Sequence, residues 1–257
     1  MSGSSEKDTE HLDVSIVIPV KDEEENILPL SMEINEVLGY CPWDWECLWV
    51  DDGSGDSTRE KLRTLCDADC HHRFISFREN AGQSAALFAG FRECRGKIIA
   101  TMDGDGQNDP SDLPRLIEAI MSDECDMANG YRAIRKDSAW RKLCSRIGNG
   151  FRNNITGIRI RDVGCSTRAF RRKCVDGLPR FRGMHRFIPT IAAMEGFRLK
   201  EYPVSHRPRE RGTSKYTAAN RAFVGILDCL GVRWLNKRLF RYSISDGSIY
   251  NKRCDHD

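Results

Sequence analysis

Lys97-Ile-Ile-Ala-Thr-Met-Asp-Gly-Asp105 joins a short apolar run to two acidic residues. A continuous apolar run of this length, bounded by turn residues, predicts a buried strand that ends at Met102. Asp103 and Asp105 then follow at the carboxyl end of that strand. Carboxylate oxygens in this arrangement suit Mg²⁺ or Mn²⁺, which keep coordination positions open for substrate phosphates. The alternative is an ordinary Asp-Gly turn, because both residue types favour turns.

Strand and helix patterns alternate on both sides of this segment. Further strands are predicted at residues 14–19, 46–50, 74–77, 126–129 and 198–204, and helices at residues 23–39, 57–66, 83–94, 111–121, 138–154 and 216–241. This alternation predicts an α/β fold with a mostly parallel, doubly wound sheet flanked by helices. Acidic residues follow three of the strands, at 21–25, at 51–52 and at 103–105. Ligands bind beyond the carboxyl ends of such strands, so the three acidic segments predict one site.

The charge of the chain is divided unevenly between its two halves. Of the 40 Lys/Arg and 38 Asp/Glu in 257 residues, residues 1–129 hold 11 basic and 28 acidic residues, which leaves 29 basic and 10 acidic residues for 130–257. The balances are therefore −17 and +19. Such an excess in the second half predicts a polyanionic partner: a nucleic acid, an anionic membrane surface or a phosphate-bearing substrate. Pairing between the two halves within one fold is the alternative.

Cysteine usage and the N-terminus indicate a cytoplasmic protein. The eleven cysteines include no Cys-x-x-Cys pair and form no disulfide framework, which favours free thiols in a reducing compartment. The polar N-terminus has no apolar segment typical of a signal peptide. A local cluster of Cys66, Cys70, His71 and His72 either binds zinc or is simply a helix end followed by a loop.

The last predicted helix is apolar but not a membrane span. Residues 222–232 form too short a run to cross a bilayer, and Asp228 interrupts it. A tryptophan and a basic cluster come next, at Arg233, Trp234, Lys237, Arg238 and Arg241. This combination suits an amphipathic helix that lies on an anionic membrane. Packing of the same helix against the domain is the alternative.

Seven motifs stand in an order that resembles family 2 glycosyltransferases. They are Val17-Ile-Pro-Val-Lys-Asp-Glu23, Val50-Asp-Asp-Gly-Ser54, Asn80-Ala-Gly82, Met102-Asp-Gly-Asp105, Gly130-Tyr-Arg132, His185-Arg-Phe-Ile-Pro189 and Arg209-Glu-Arg-Gly-Thr-Ser-Lys215. The set resembles the dolichyl-phosphate mannosyltransferase-like branch, the polyprenyl-phosphate glycosyltransferases. Each motif is weak alone, but seven in order over residues 13–241 are specific.

The resemblance implies a GT-A fold with a C-terminal amphipathic helical extension. We expect a disordered tail at residues 1–11, a GT-A glycosyltransferase domain at 12–215, the extension at 216–242 and a C-terminal tail at 243–257. It also implies an inverting, metal-dependent enzyme of cell-envelope glycan synthesis. The donor would be a UDP- or GDP-sugar, and the acceptor a polyprenyl phosphate at the cytoplasmic face of the membrane, where the enzyme binds peripherally.

The resemblance also assigns roles to individual residues. The positions that would contact the nucleotide sugar are Pro19, Lys21, Glu23, Asp51, Asp103, Gly104, Arg132, Arg209 and Lys215. Asp103 and Asp105 would hold the metal, with Asp105 as the direct ligand, and Asp105, Arg132 and Asp162 are the catalytic candidates. Relatives often have an aromatic residue where this chain has Lys21. Some also carry an acidic residue where Cys165 and Ser166 stand, which leaves Asp162 as the nearest candidate base.

Further assignments concern the acceptor side. Arg168 matches a position that would bind the acceptor phosphate, and His185 is expected to shape the acceptor side rather than to transfer protons. Two other functions stay open at this point. One is a family 2 enzyme that glycosylates a lipid-linked saccharide. The other, more remote, is a nucleic-acid-binding protein that uses the basic half; three acidic segments on one sheet edge argue against it, because they would repel nucleic acid.

Overall fold

The computed structural model describes residues 12–133, 139–208 and 219–238 of the chain. The strands are β1 (Val14–Val20), β2 (Trp45–Asp51), β3 (His72–Ser76), β4 (Ile98–Thr101), β5 (Met127–Arg132), β6 (Arg168–Arg171) and β7 (Leu199–Val204). The helices are α1 (Ile27–Leu38), α2 (Thr58–Ala68), α3 (Gln83–Glu93), α4 (Leu113–Met121), α5 (Ala139–Thr156), α6 (Ile188–Met194) and α7 (Ala219–Arg238). Short 3₁₀ turns occur at Pro110–Asp112, Arg172–Cys174 and Met184–Arg186.

The strands form one sheet in the order β3-β2-β1-β4-β6-β5-β7. Strands β3, β2, β1 and β4 are mutually parallel, and β5 is parallel to β7. Strand β6 lies between β4 and β5 and is antiparallel to both. The carboxyl ends of the six other strands therefore share one edge of the sheet with the first residue of β6. The predicted mostly parallel α/β sheet is confirmed, whereas β6 was not predicted.

The alternating side chains of β1 explain why helices cover both faces of the sheet. Val14, Ile16, Ile18 and Val20 point into a core shared with α1 and α4, while Val17 points into a second core shared with α3 and α6. Period-two alternation with apolar residues on both sides is the pattern of a strand buried on both faces. Each face of the central strands is thus sealed from water, and only their ends reach the solvent.

Helix α7 packs against the domain through one side. Cys229 and Val232 are buried in the core that α3 and α6 share, and α7 also packs against α5. Large apolar side chains remain exposed elsewhere on the helix, at Ile226, Leu227, Leu230 and Trp234. Among the helices in the described part of the chain, none combines the length and the apolarity needed to cross a bilayer. Packing and an exposed apolar surface, which the sequence offered as alternatives, therefore coexist on this helix.

Of Cys66, Cys70, His71 and His72, only Cys70 and His71 lie close enough, together with Asp69, to share a metal ion. His72 is buried, its Nδ1 accepts a hydrogen bond from Trp49 Nε1 at 3.0 Å, and its Nε2 lies 2.9 Å from Asn35 Oδ1. Burial lowers the pKa of His72 to about 4, although the charge of Asp69 opposes the change. His72 is therefore a neutral residue of the core, and both of its ring nitrogens are engaged.

Replacing His72 should change how stability depends on pH. An unfolded histidine has a pKa near 6.5, so between about pH 6.5 and pH 4 the unfolded chain binds a proton that the folded chain does not. We expect the free energy of unfolding to fall as the pH drops through this window, and the His72→Gln variant to lack this part of the slope. Urea denaturation at successive pH values measures it. A slope in His72→Gln equal to that of wild type would contradict the assignment.

Candidate active site

The loops after β1 and β2 are joined by hydrogen bonds at the carboxyl edge of the sheet. The Asp22 amide donates to Ser54 Oγ at 2.9 Å, and Asp22 Oδ1 accepts from the Gly55 amide at 2.7 Å. The Glu23 amide donates to Thr58 Oγ1 at 2.9 Å. Asp22 has a φ of +50°, a conformation that costs energy for a residue other than glycine and that often marks functional loops. These contacts explain why α1 begins at Ile27, four residues later than predicted.

The two aspartates that end β2 are both buried and bonded within the protein. Asp51 Oδ1 accepts from the Ser54 amide at 2.9 Å, and Asp51 Oδ2 accepts from Ser76 Oγ at 2.5 Å and from Arg59 Nε at 3.3 Å. Burial by itself raises the pKa of Asp51, but these hydrogen bonds outweigh it and leave the pKa below its ordinary value. Asp51, which the resemblance assigns to the nucleotide sugar, is therefore an ionised carboxylate whose hydrogen bonds come from within the protein.

Asp52 fixes the loop that leads into α3. Its carboxylate accepts hydrogen bonds from the Ala81 amide at 2.7 Å and from the Gly82 amide at 2.9 Å. Gly82 has a φ of +93°, so the chain turns sharply there before the helix begins. The Asn80-Ala-Gly82 motif is thereby attached to the end of β2.

The metal-loop candidate, residues 103–109, follows β4 at the same edge. Gln83 Nε2 donates to Asp103 Oδ1 at 2.9 Å, and the Asp103 amide donates to Asn108 Oδ1 at 3.0 Å. Asp105 Oδ1 accepts from the Gln107 amide at 3.1 Å. Both carboxylates are partly exposed to solvent. The loop thus presents two carboxylates on a framework of hydrogen bonds.

Gly104 allows this loop to lie directly on the end of β1. A Cβ atom at Gly104 would come within 2.4 Å of Val20 Cγ1 and 3.3 Å of the Pro19 carbonyl oxygen. Lys21, the next residue along, donates from Nζ to the Gly53 carbonyl at 3.0 Å. Pro19 and Gly104 are therefore in contact at the carboxyl edge of the sheet, and Lys21 lies two residues further along the chain; their contacts with a nucleotide sugar stay predictions.

The reversed strand β6 brings a buried arginine to the same edge. Arg168, its first residue, lies in register with Thr101 of β4 and Asn129 of β5. Its Nη1 donates to the His185 carbonyl at 3.1 Å, and its Nη2 donates to the Cys165 carbonyl. Its Nε is buried and has no hydrogen-bond partner among the described residues. Burial lowers the pKa of Arg168, so this charge is held at an energetic cost.

Asp103 experiences opposing electrostatic effects. Burial raises its pKa, and the negative charge of Asp105 raises it further. A hydrogen bond from Ser166 and the positive charges of Arg168 and Arg132 lower it, but only in part. A buried carboxylate whose pKa is raised by the negative charge of a second carboxylate belongs to a site that a divalent cation would stabilise.

Arg132 and Asp162 form a bidentate pair at the end of β5. Arg132 Nε donates to Asp162 Oδ2 at 2.7 Å, and Nη2 donates to Oδ1 at 3.0 Å. The Gly164 amide also donates to Asp162 Oδ1 at 3.2 Å. Asp162 is buried and Arg132 is mostly so, with an exposed side-chain fraction of 18%. The two catalytic candidates of the second half are therefore bound to each other.

Two further segments complete the rim. His185 Nδ1 lies 2.8 Å from Ser84 Oγ near the start of α3, which brings the His185 motif beside the Asn80-Ala-Gly82 loop. His206 forms an isolated antiparallel bridge with Asn108, and the Arg207 amide donates to the Gln107 carbonyl at 2.8 Å. Arg209 and Lys215 lie outside the described residues, so their predicted contacts with phosphate stay predictions.

The structure brings most of the predicted site residues to one edge. It gathers Pro19, Lys21, Glu23, Asp51, Asp103, Gly104, Asp105, Arg132 and Asp162 there. The sequence analysis missed Gln83, Asn108 and Ser166, which contact the metal-loop candidate or its neighbours. Ser166 stands where some relatives carry an acidic residue, but its contact with this loop was not predicted, because Ser166 precedes a strand that was itself not predicted. Gln83 and Asn108 lie close after two of the quoted motifs, and this proximity is the one feature of the sequence that could have indicated a role for them.

The donor set fits a hard divalent cation. Asp103 and Asp105 supply carboxylate oxygens, which Mg²⁺ and Mn²⁺ prefer, on a loop braced from both sides. Asp103 and Asp105 are the residues that would hold such an ion. The ion would balance the two like charges and neutralise negative charge on a bound diphosphate.

The chain has the GT-A fold, as comparison with solved structures shows. A structure of glucosyl-3-phosphoglycerate synthase from Mycobacterium tuberculosis with Mn²⁺, UDP and glucosyl-3-phosphoglycerate superposes with a TM-score of 0.65, covering 86% of this chain and 81% of that one at 16% identity. A second structure of that protein, with Mg²⁺ and UDP, gives a TM-score of 0.64 over 86% and 80% of the two chains, also at 16% identity. These neighbours support the predicted GT-A fold, and in both structures the synthase is in complex with a divalent metal and UDP.

The chain belongs to glycosyl transferase family 2, whose sequence pattern matches residues 15–178. It is 36% identical over 243 residues to dodecaprenyl-phosphate galacturonate synthase of Rhizobium johnstonii, over 93% of this chain and 70% of that protein. It is 38% identical over 205 residues to undecaprenyl-phosphate 4-deoxy-4-formamido-L-arabinose transferase of Salmonella choleraesuis, over 79% of this chain and 62% of that protein. The predicted family and its polyprenyl-phosphate branch are confirmed, and the chain spans less than two thirds of the Salmonella relative.

Breaking the pair between Arg132 and Asp162 should cost measurable stability. Asp162→Asn keeps the shape but turns an amide N–H₂ toward the guanidinium, so we expect the free energy of unfolding to fall by about 1–3 kcal/mol. Asp13→Asn is the matched control, because Asp13 pairs with Lys97 at 3.5 Å, the two side chains are 37% and 64% exposed, and exposed pairs contribute less than about 1 kcal/mol. Chemical denaturation measures both. Equal losses in the two variants would show that the Arg132 pair has no structural role.

Proposed function

We propose that this protein transfers a sugar from a nucleotide-sugar donor to a polyprenyl phosphate, with inversion at the anomeric carbon. One observation carries the proposal: Asp103 and Asp105 stand at the edge of the sheet, close enough to Arg132 and Arg168 for both arginines to influence the pKa of Asp103. Two carboxylates can hold a metal-bound diphosphate, and two nearby arginines can bind that diphosphate and a second phosphate. The two relatives named above act, by their names, on dodecaprenyl or undecaprenyl phosphate, which supports the choice of acceptor.

The donor would lie across the ends of β1, β2 and β4. Pro19 lies against Gly104, Lys21 and Glu23 follow it in the loop after β1, and these three residues would contact the base and ribose. Asp103 and Asp105 would hold Mg²⁺ or Mn²⁺, which supplies Lewis-acid stabilisation of the leaving diphosphate. Arg132 adds a fixed positive charge, and Arg209 and Lys215 are expected to add two more from the following loop.

The acceptor would enter from the side of β6. Arg168 carries a buried charge at the start of that strand, and a phosphate monoester there would gain a charge-assisted hydrogen bond. Such an acceptor is already anionic near neutral pH, so the reaction needs positioning more than a protein base. The bidentate contact with Arg132 therefore favours a role for Asp162 in orienting Arg132 over a role as the base.

Helix α7 offers a surface for an anionic membrane. Its exposed apolar residues are Ile226, Leu227, Leu230 and Trp234, and the basic residues exposed beside them are Arg233, Lys237 and Arg238. Phe151 is exposed on α5, which packs against α7. Apolar insertion flanked by positive charge is the arrangement of helices that bind the membrane surface. We therefore propose peripheral attachment at the cytoplasmic face, where a polyprenyl phosphate would be reached.

A donor screen tests the proposed reaction. Radiolabelled UDP- and GDP-sugars, incubated with polyprenyl phosphate and Mn²⁺ or Mg²⁺, should yield a labelled lipid that extracts into organic solvent. Asp105→Asn should lower the rate of transfer about a hundredfold or more, because it removes a metal carboxylate. Asp67→Asn, an exposed acid on α2, is the matched control and should act like wild type. Undiminished transfer in EDTA would contradict the metal, and label on a lipid-linked saccharide would contradict the acceptor.

Vesicle binding tests the membrane surface. We expect the protein to float with vesicles that contain anionic lipid, and Trp234→Glu to reduce the bound fraction several-fold, because it places a charge where the tryptophan would insert. Tyr40→Glu is the matched control, since Tyr40 is an exposed aromatic residue beyond the end of α1. Equal reductions in both variants would contradict a specific role for α7. Equal binding to vesicles with and without anionic lipid would contradict it as well.

A further inference from the structure

Asn108 is a buried amide in the metal-loop candidate, and its side-chain oxygen accepts two hydrogen bonds. One comes from the Asp103 amide at 3.0 Å and the other from Ser166 Oγ at 3.0 Å. The first bond closes the loop around Asp105 by joining its two ends. The second joins the loop to the residue two positions before β6. A single oxygen therefore connects the two carboxylates with the strand that carries Arg168.

The backbone of Asn108 is fixed as well. Asn108 pairs with His206 as an isolated antiparallel bridge, and the neighbouring Arg207 amide donates to the Gln107 carbonyl at 2.8 Å. Arg207 also contacts Asp109 at 2.9 Å through Nη2, which attaches the same two segments a third time. Hydrogen bonds and an ion pair fix the main chain on both sides of Asn108. Its side-chain oxygen therefore cannot readily shift when Asp103 moves. The constraint therefore acts from Asn108 on Asp103.

We propose that Asn108 is the positioning residue of the metal site, setting the distance between the carboxylates of Asp103 and Asp105 through the Asp103 amide. This inference rests on the function proposed above, because it takes Asp103 and Asp105 as the metal ligands. Gln83 supports the same geometry from the opposite side, since it binds Asp103 Oδ1 directly. Partners that orient metal ligands in this way commonly change metal affinity by about 10- to 100-fold when they are removed.

Two substitutions separate positioning from mere stability. Asn108→Ala removes both hydrogen bonds and frees the Asp103 amide. Asn108→Asp retains an oxygen that accepts both bonds, and it adds negative charge near the cation. Asn35→Ala is the matched control. Asn35 is partly buried on α1, away from the metal-loop candidate, and its side chain forms hydrogen bonds with His72 and Asp69. A structural role alone would make Asn108→Ala and Asn35→Ala behave alike.

The experiment measures binding of Mn²⁺ alone to the full chain, from the electron paramagnetic resonance signal of free Mn²⁺, beside the melting temperature. We expect Asn108→Ala to raise the Kd for Mn²⁺ about tenfold or more. Asn35→Ala should leave this Kd unchanged despite a lower melting temperature. Asn108→Asp should bind Mn²⁺ with a Kd no more than about threefold above that of wild type. Wild-type affinity in Asn108→Ala would overturn the inference, as would an equal weakening in Asn35→Ala.

The outcomes also distinguish this inference from the proposed function. If wild type binds Mn²⁺ and the variants follow the expected order, Asn108 is the positioning residue even where no labelled lipid forms in the donor screen. If metal-dependent transfer is observed but Asn108→Ala binds Mn²⁺ normally, the proposed function stands and the inference fails. If wild type binds no Mn²⁺, the metal site itself is wrong and both are overturned.

Discussion

The reversed strand β6 is the constraint on which the rest of the site depends. Because β6 runs antiparallel between β4 and β5, it begins where its neighbours end, and it delivers Arg168 to the edge that carries Asp103 and Arg132. A guanidinium buried inside the domain costs energy, and the carbonyls of Cys165 and His185 offset only part of that cost. A parallel strand here would have placed its first residue at the opposite edge.

Charge is segregated across this edge in a way that explains the asymmetry of the chain. The acidic loops after β1, β2 and β4 border the proposed donor site, and their carboxylates accept hydrogen bonds from neighbouring backbone amides. The basic residues arrive from β5, from β6 and from the segment after β7. The two halves therefore meet at the site, so part of the excess charge is paired there, as it is between Arg207 and Asp109 at 2.9 Å. The rest remains on the surface, including the basic face of α7.

Much of the fold could be predicted from the sequence, because its strands are short apolar runs and its helices have one apolar face. The predicted β1, β2, β3, β4, β5 and β7 agree with the structure to within a few residues. Strand β6 could not be predicted, since Arg168-Ala-Phe-Arg171 is only four residues long and begins and ends with a charge. Helix α1 begins later than predicted because the amides of Asp22 and Glu23 donate to the side chains of Ser54 and Thr58 and so do not join the first turn of the helix.

By itself, the sequence determined the family, the parallel sheet and the carboxylates at its edge, because periodicity and local motifs depend on neighbours along the chain. Only the tertiary structure decided which side chains face each other across that edge. Asp162 bonds to Arg132 from 30 residues away, Ser166 reaches Asn108 across 58 residues, and His185 meets Ser84 across 101. No local pattern records such distances, since they are set by the packing of strands from distant parts of the chain. The roles of Asn108 and Gln83 become visible only there.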